Sequence, residues 1–167
     1  LRAALACGDP VIYMEHKELW GMTDAIQTST STRLGQAKYW RTGHDLTLVS
    51  WSRQMHWAAE AAQTLTEQGI SVDLIDLRCL WPWDRETVLN SCAKTGHLLV
   101  VHEAVQAAGF GAEIAATVAE QLGVRVKRLG APRIPVGYSP GLEAVSRIGP
   151  EAIEAAVQQL LAPRKVN

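Results

Sequence analysis

The sequence predicts a three-layer α/β sandwich built on a mostly parallel sheet of about five strands. Three observations carry that expectation. From residue 45 onward, short β-like runs alternate with helical stripes. Three of the predicted helices are closed by a glycine, at Gly69, Gly96 and Gly123. Strand, helix, strand in repeated succession also requires right-handed crossovers, with helices covering both faces of the sheet.

Taken in order, residues 1–7 read as the end of a helix stopped by Gly8, Asp9 and Pro10. Residues 10–15 (PVIYME) are expected to form a short buried strand, and residues 23–32 (TDAIQTSTST) a Ser/Thr-rich linker. Residues 46–51 (LTLVSW) are β-like. Met55, Ala58, Ala59, Ala62 and Leu65 then recur at spacings of three and four, which predicts a helix. A strand at 71–77 (SVDLIDL) leads into the loop Trp81, Pro82, Trp83, and Asp84 is placed to cap a helix carrying Val88, Leu89 and Cys92. Residues 97–102 (HLLVVH) form the next strand, residues 110–121 a helix, and residues 124–129 another strand. A Pro-rich passage, 132–140, precedes a last helix that has Pro150 near its first turn and an apolar face of Ile153, Ala156, Val157, Leu160 and Leu161.

Composition narrows the function. The 167 residues are 47% hydrophobic and 20% charged, ordinary globular values that argue against a disordered or fibrous chain. A net charge of −1 lacks the basic excess that binding to a phosphate backbone needs, so nucleic acid is not expected as a partner. No membrane span or signal peptide is evident. Cys7, Cys79 and Cys92 show no CxxC spacing and read as reduced, structural thiols of a cytoplasmic protein, with no metal site. The chain begins at Leu1 without Met, which suggests a piece of a larger parent.

The loop 103–111 is the most suggestive local feature. Ligands of open α/β sheets bind beyond the carboxyl ends of the strands, and Gly109 and Gly111, flanking Phe110 before a helix, would let backbone amides approach an anion. The dinucleotide fingerprint fails, because Ile114 stands where its third glycine belongs. The competing reading of these glycines is tight helix packing. His102 and Glu103 end a strand, where acids and bases of catalysis often sit, yet as sequence neighbours they point to opposite faces. A structural His with a capping Glu is the simpler account. His16, His44 and His56 stand alone, and there is no GxSxG for a hydrolase. Trp81 and Trp83 are loop aromatics of the kind found at subunit contacts, or else fold over the domain's own core. Arg125, Lys127 and Arg128 make a small basic cluster, either a solvated face or a docking patch.

Several stretches taken together resemble one family. PVIYMEHKELW (10–20), LGQAKYWRTGHDLTLVSWSRQMHWAAEAA (34–62), residues 69–104, GFGAEIAATVAEQL (109–122) and IPVGYSPGLE (134–143) are similar, in order, to the β subunit of the thiamine-diphosphate-dependent first component of 2-oxo acid dehydrogenase complexes. The resemblance implies that residues 1–22 are the tail of a pyrimidine-binding domain, 23–34 a linker, and 35–167 a transketolase-type C-terminal domain. The whole enzyme would use thiamine diphosphate with magnesium, decarboxylate a 2-oxo acid such as pyruvate or a branched-chain oxo acid, or else act on acetoin, and pass the acyl group to a lipoyl arm. Its partners would be an α subunit, a second β subunit across a twofold axis, and the lipoyl acyltransferase core. No catalytic or cofactor residue carries over to this stretch, which is expected to bind no cofactor itself. A regulatory ligand has also been suggested for such domains. On this reading Trp81, Trp83, His102, Glu103, Gly109, Phe110 and Gly111 are candidates for a subunit interface or docking surface, and the domain alone could pair as a dimer. Where the family often has an aromatic followed by Gly, this chain has Trp51 and Ser52, and where it has a Gly pair, Ala108 and Gly109. The alternative is a free-standing nucleotide- or metabolite-binding α/β module with an anion seated at residues 109–112.

Overall fold

The computed structural model describes residues 1–25 and 33–163. Most of the Ser/Thr-rich stretch expected as a linker, 26–32, lies outside the described residues. A short helix α1 (Arg2–Ala6) and a 3₁₀ turn (Lys17–Leu19) precede a five-stranded sheet. The sheet and its helices run β1 (Lys38–Arg41), β2 (Leu46–Ser50), α2 (Gln54–Glu67), β3 (Val72–Asp76), α3 (Arg85–Thr95), β4 (His97–Val105), α4 (Gly111–Leu122) and β5 (Arg125–Ala131). Two further helices, α5 (Pro140–Ala144) and α6 (Pro150–Leu161), end the fold.

The strand order is β1-β3-β2-β4-β5, with β1 antiparallel to β3 and every other pairing parallel. The α/β class holds, and the period of two explains its layers. Leu46, Leu48, Leu74, Leu99 and Val101 face α2 and α6, while Val49, Ile75, Leu98 and Val100 face α3 and α4. All five residues of β2 are buried, as a strand covered on both faces requires.

Two elements differ from expectation. Residues 10–15 form no strand, and Val11, Ile12, Tyr13 and Met14 are exposed, because among the described residues no neighbouring strand pairs with their backbone. The first strand of the sheet is instead β1, whose KYWR sequence is mostly exposed and breaks register between Tyr39 and Arg41. An antiparallel edge strand needs no apolar run, so periodicity did not mark it. The caps follow the sequence. Asp84 accepts the Thr87 N–H at 3.1 Å, and Gly96 closes α3 with φ 72°. Arg125 and Lys127 reach α6, through the Ala162 carbonyl at 2.7 Å and the Gln159 side chain, while Arg128 donates to the Gln106 carbonyl at 3.0 Å. The basic cluster thus secures the last helix and a loop.

Candidate functional site

In this strand order the chain leaves β2 toward β3 on one side, while β4 and β5 lie on the other. The resulting crevice between the carboxyl ends of β2 and β4 is the place where a sheet of this kind receives a ligand. Here it is filled by the chain's own rings. Trp51, just past β2, stacks on His102 of β4 with centroids 5.4 Å apart. Phe110 meets Trp51 edge-on at 6.2 Å, and Trp83 meets Phe110 edge-on at 6.4 Å.

His102 is the keystone of this plug, with 0% of its surface exposed. Its Nδ1 donates to the Ala104 carbonyl at 2.9 Å, which fixes the neutral tautomer and leaves Nε2 an acceptor. Burial pushes its pKa below the ordinary histidine value, while the Ala104 bond partly offsets the shift. Nε2 is buried without a protein partner. Three glycines make room for the ring. A methyl group on Gly109 would stand 2.5 Å from His102 Cε1, on Gly111 2.7 Å from Nε2, and on Gly130 2.8 Å from Cε1. Gly109 and Gly111 are therefore glycines of close packing against the imidazole.

The loops leaving the parallel strands are strained. Ser52 after β2, Arg78 after β3 and Ala108 after β4 all have positive φ, at 56°, 59° and 59°. Such residues cost about 1–2 kcal/mol each over the right-handed conformation, and they tend to collect where loop shape matters. Ser52 and Ala108 are the two positions at which the sequence departs from the glycines of its resembled family. Both loops thus place a side-chain-bearing residue in a backbone conformation that glycine adopts more readily.

The sequence-predicted residues divide by burial. Trp81 is 83% exposed beside Pro82, whose peptide bond is cis, whereas Trp83 is 6% exposed and belongs to the core facing α3 and α4. Trp83, His102 and Gly111 lie inside the chain, so they can shape a contact surface but not form one. Phe110 and Gly109 are half-buried, and Glu103 lies on the opposite face from His102, bonded to His16 at 2.9 Å. Of the two loop tryptophans, Trp81 thus faces outward and Trp83 packs into the domain's own core.

The carboxyl end carries further apolar side chains that sequence reasoning did not single out. Ile134, Val136, Tyr138, Leu142 and Val145 are all exposed on the segment after β5, with Tyr138 at 102%. A shallow cleft of 490 Å³ lies beside them, lined by Gln106, Arg128, Gly130 and Arg133. The three cysteines are free thiols, and burial raises that of Cys92 to about 12. Among the described residues no cluster of His, Cys, Asp and Glu could hold a metal ion, and no helix is long and apolar enough to cross a membrane.

Fold and site define an α/β domain whose ligand crevice is closed and whose loops present apolar surface. The chain belongs to the family "Transketolase, C-terminal domain", matched over residues 35–153. It is homologous to β subunits of 2-oxo acid dehydrogenases. It is 33% identical to the 2-oxoisovalerate dehydrogenase subunit beta of Bacillus subtilis, over 96% of this chain and 51% of that one. Identity is 36% to the acetoin:2,6-dichlorophenolindophenol oxidoreductase subunit beta of Cupriavidus necator, over 95% and 48%. It is also 36% to a mitochondrial pyruvate dehydrogenase E1 component subunit beta-1 of Arabidopsis thaliana, over 87% and 43%. The chain spans about half the length of these curated relatives. Among solved structures, a split-gene transketolase described as an inactive beta4 tetramer superposes with a TM-score of 0.76 at 26% identity, over 84% of this chain and 47% of that one.

Proposed function

We propose that this chain is the carboxyl-terminal part of the β subunit of a thiamine-diphosphate-dependent 2-oxo acid dehydrogenase, and that its domain serves assembly, not chemistry. The observation that carries the reading is the filled crevice between β2 and β4. Trp51, His102, Phe110 and Trp83 take the volume a substrate or nucleotide would use, while Trp81 and the apolar side chains after β5 face outward. Exposed aromatic and aliphatic residues gathered at one end of a domain are the usual mark of a protein contact.

Similarity to the three β subunits over 87–96% of the chain supports this placement. In the whole enzyme, thiamine diphosphate with magnesium would be held on segments outside residues 35–153. The partners of this domain would be a second β subunit, the α subunit and the lipoyl acyltransferase core.

The test of docking is sedimentation of the purified chain with the peripheral subunit-binding domain of a lipoyl acyltransferase from the same organism. Co-sedimentation that is lost in Tyr138→Glu is the expected result. Independent sedimentation at high micromolar concentration would remove the docking role. A free nucleotide-binding module instead requires an anion at residues 109–112, where a thermal shift with a dinucleotide would report it.

A further inference from the structure

The segment before residue 25 is not an idle tail. Its apolar residues Ile12, Tyr13 and Met14 face solvent, so the hydrophobic effect does little to hold it against the domain. Charge and hydrogen bonding hold it instead, at three separate elements. His16 Nδ1 accepts the Glu18 N–H at 3.3 Å, which leaves Nε2–H to donate to Glu103 on β4 at 2.9 Å. The Glu18 carboxylate then bridges two arginines. One oxygen takes Arg53 Nε at 3.1 Å, at the start of α2, and the other takes Arg147 Nη2 at 2.6 Å, just beyond α5.

The receiving side is prepared for a carboxylate. Arg53 lies 4.3 Å over the ring of Trp57, and Arg147 lies 6.0 Å from the same ring. Glu143 shares the same Arg147 Nη2, at 2.8 Å. Two guanidiniums fixed over one indole, with the second already steered by a neighbouring carboxylate, have lost much of the rotamer freedom that makes surface ion pairs weak. The Glu18 carboxyl is accordingly held below its ordinary pKa, chiefly by the bond to Arg147. Behind the contact a cleft of 290 Å³ remains, lined by Glu18, Met22, Arg53, His56, Trp57 and Glu60. The segment is therefore fastened at points and not packed along its length.

We infer that Arg53, Trp57 and Arg147 form a carboxylate receptor, that Glu18 occupies it within the same chain, and that this contact is the clasp docking residues 16–22 onto the domain. A carboxylate side chain is the ligand class, and the clasp fixes whatever precedes residue 16 relative to the sheet. The inference stands on these contacts whether or not the proposed place in a dehydrogenase is right.

Amide hydrogen exchange on the whole chain tests it. The turn has its own reporters, since Leu19 N–H bonds the His16 carbonyl, Trp20 N–H that of Lys17, and Met22 N–H that of Leu19. Glu18→Gln is expected to speed exchange at residues 19–22 by about three- to tenfold, the span for losing a partly exposed ion-pair cluster, with α2 and β4 unchanged. Arg147→Gln should act in the same direction, and the double variant should add little to Glu18→Gln, which already removes the Arg147 contact. Raising the salt concentration should shift the wild type toward the variants. Equal rates at residues 19–22 in wild type and Glu18→Gln, or effects that simply add in the double variant, would overturn the clasp. Should Glu18→Gln also raise exchange in α2 and β4, Arg147→Gln, which lies outside the sheet, reads the same contact.

Discussion

At the amino ends of the strands, Asp73 of β3 lies at 0% exposure, and each of its oxygens is in use. Oδ1 accepts the Gly43 N–H at 2.9 Å, and Oδ2 takes the Ser91 hydroxyl at 2.5 Å and Lys94 Nζ at 2.7 Å. Thr47 of β2 extends the network to Ser91 and Thr95 at 2.7 and 2.8 Å. At the carboxyl ends, the corresponding buried polar group is His102, with one nitrogen unpaired, three glycines pressed against it and three strained loops around it. A satisfied buried network raises rigidity and sets register. An incompletely satisfied, strained one persists where shape is needed for something else. The difference teaches which end holds the fold together and which end presents it.

The largest effect is expected at the amino end. Asp73→Ala removes the buried acceptor of the Gly43 N–H, the Ser91 hydroxyl and Lys94, and should cost about 2–3 kcal/mol in urea unfolding. A loss below about 1 kcal/mol would mean that the network is ornamental and that the contrast between the ends is false.

At the carboxyl end the sign reverses. Ser52→Gly and Ala108→Gly relieve a left-handed conformation that each side chain resists, so each should stabilise by about 0.5–1 kcal/mol after the extra freedom of glycine in the unfolded chain is counted. Their thermal midpoints should rise without any change in the sheet. Destabilisation by both would show that these loops are not strained.

The smallest effect is on pH dependence. The folded pKa of His102 lies below its unfolded value near 6.5, so the unfolded chain takes up a proton there that the folded one resists. Stability is complete above pH 6.5 and falls as the pH drops through the window beneath it. His102→Asn, which keeps an N–H for the Ala104 carbonyl, should flatten that part of the stability profile. An unchanged profile would place the slope on other groups.

Much of the architecture was legible in the sequence because it rests on local rules. The strands β2, β3 and β4 are apolar runs bounded by turns, α2 and α6 carry stripes at spacings of three and four, and Asp84 and Gly96 are cap residues in their proper places. What was not legible depends on pairing across the chain. Residues 10–15 have the composition of a strand, but composition cannot supply a neighbour to bond with. His102 and the glycines after it were visible as a group. That the glycines close around the imidazole, with Gly130 joining from β5, is a fact of β4 lying beside β5. Glu18 and Arg147 are 129 residues apart, and no spacing rule connects them.

The contrast also says where a second protein should sit. Trp81, Val136 and Tyr138 on loops and Leu142 on α5 lie at the presenting end, and none contributes to the core of the domain. The most direct test is sedimentation velocity of the chain over a dilution series, alongside Trp81→Glu. The wild type is expected to sediment as a species larger than the 18.2 kDa monomer and to dissociate on dilution, and Trp81→Glu to remain monomeric with its thermal midpoint unchanged. A wild type that stays monomeric at every concentration would contradict the claim that the carboxyl end of this sheet is an assembly surface.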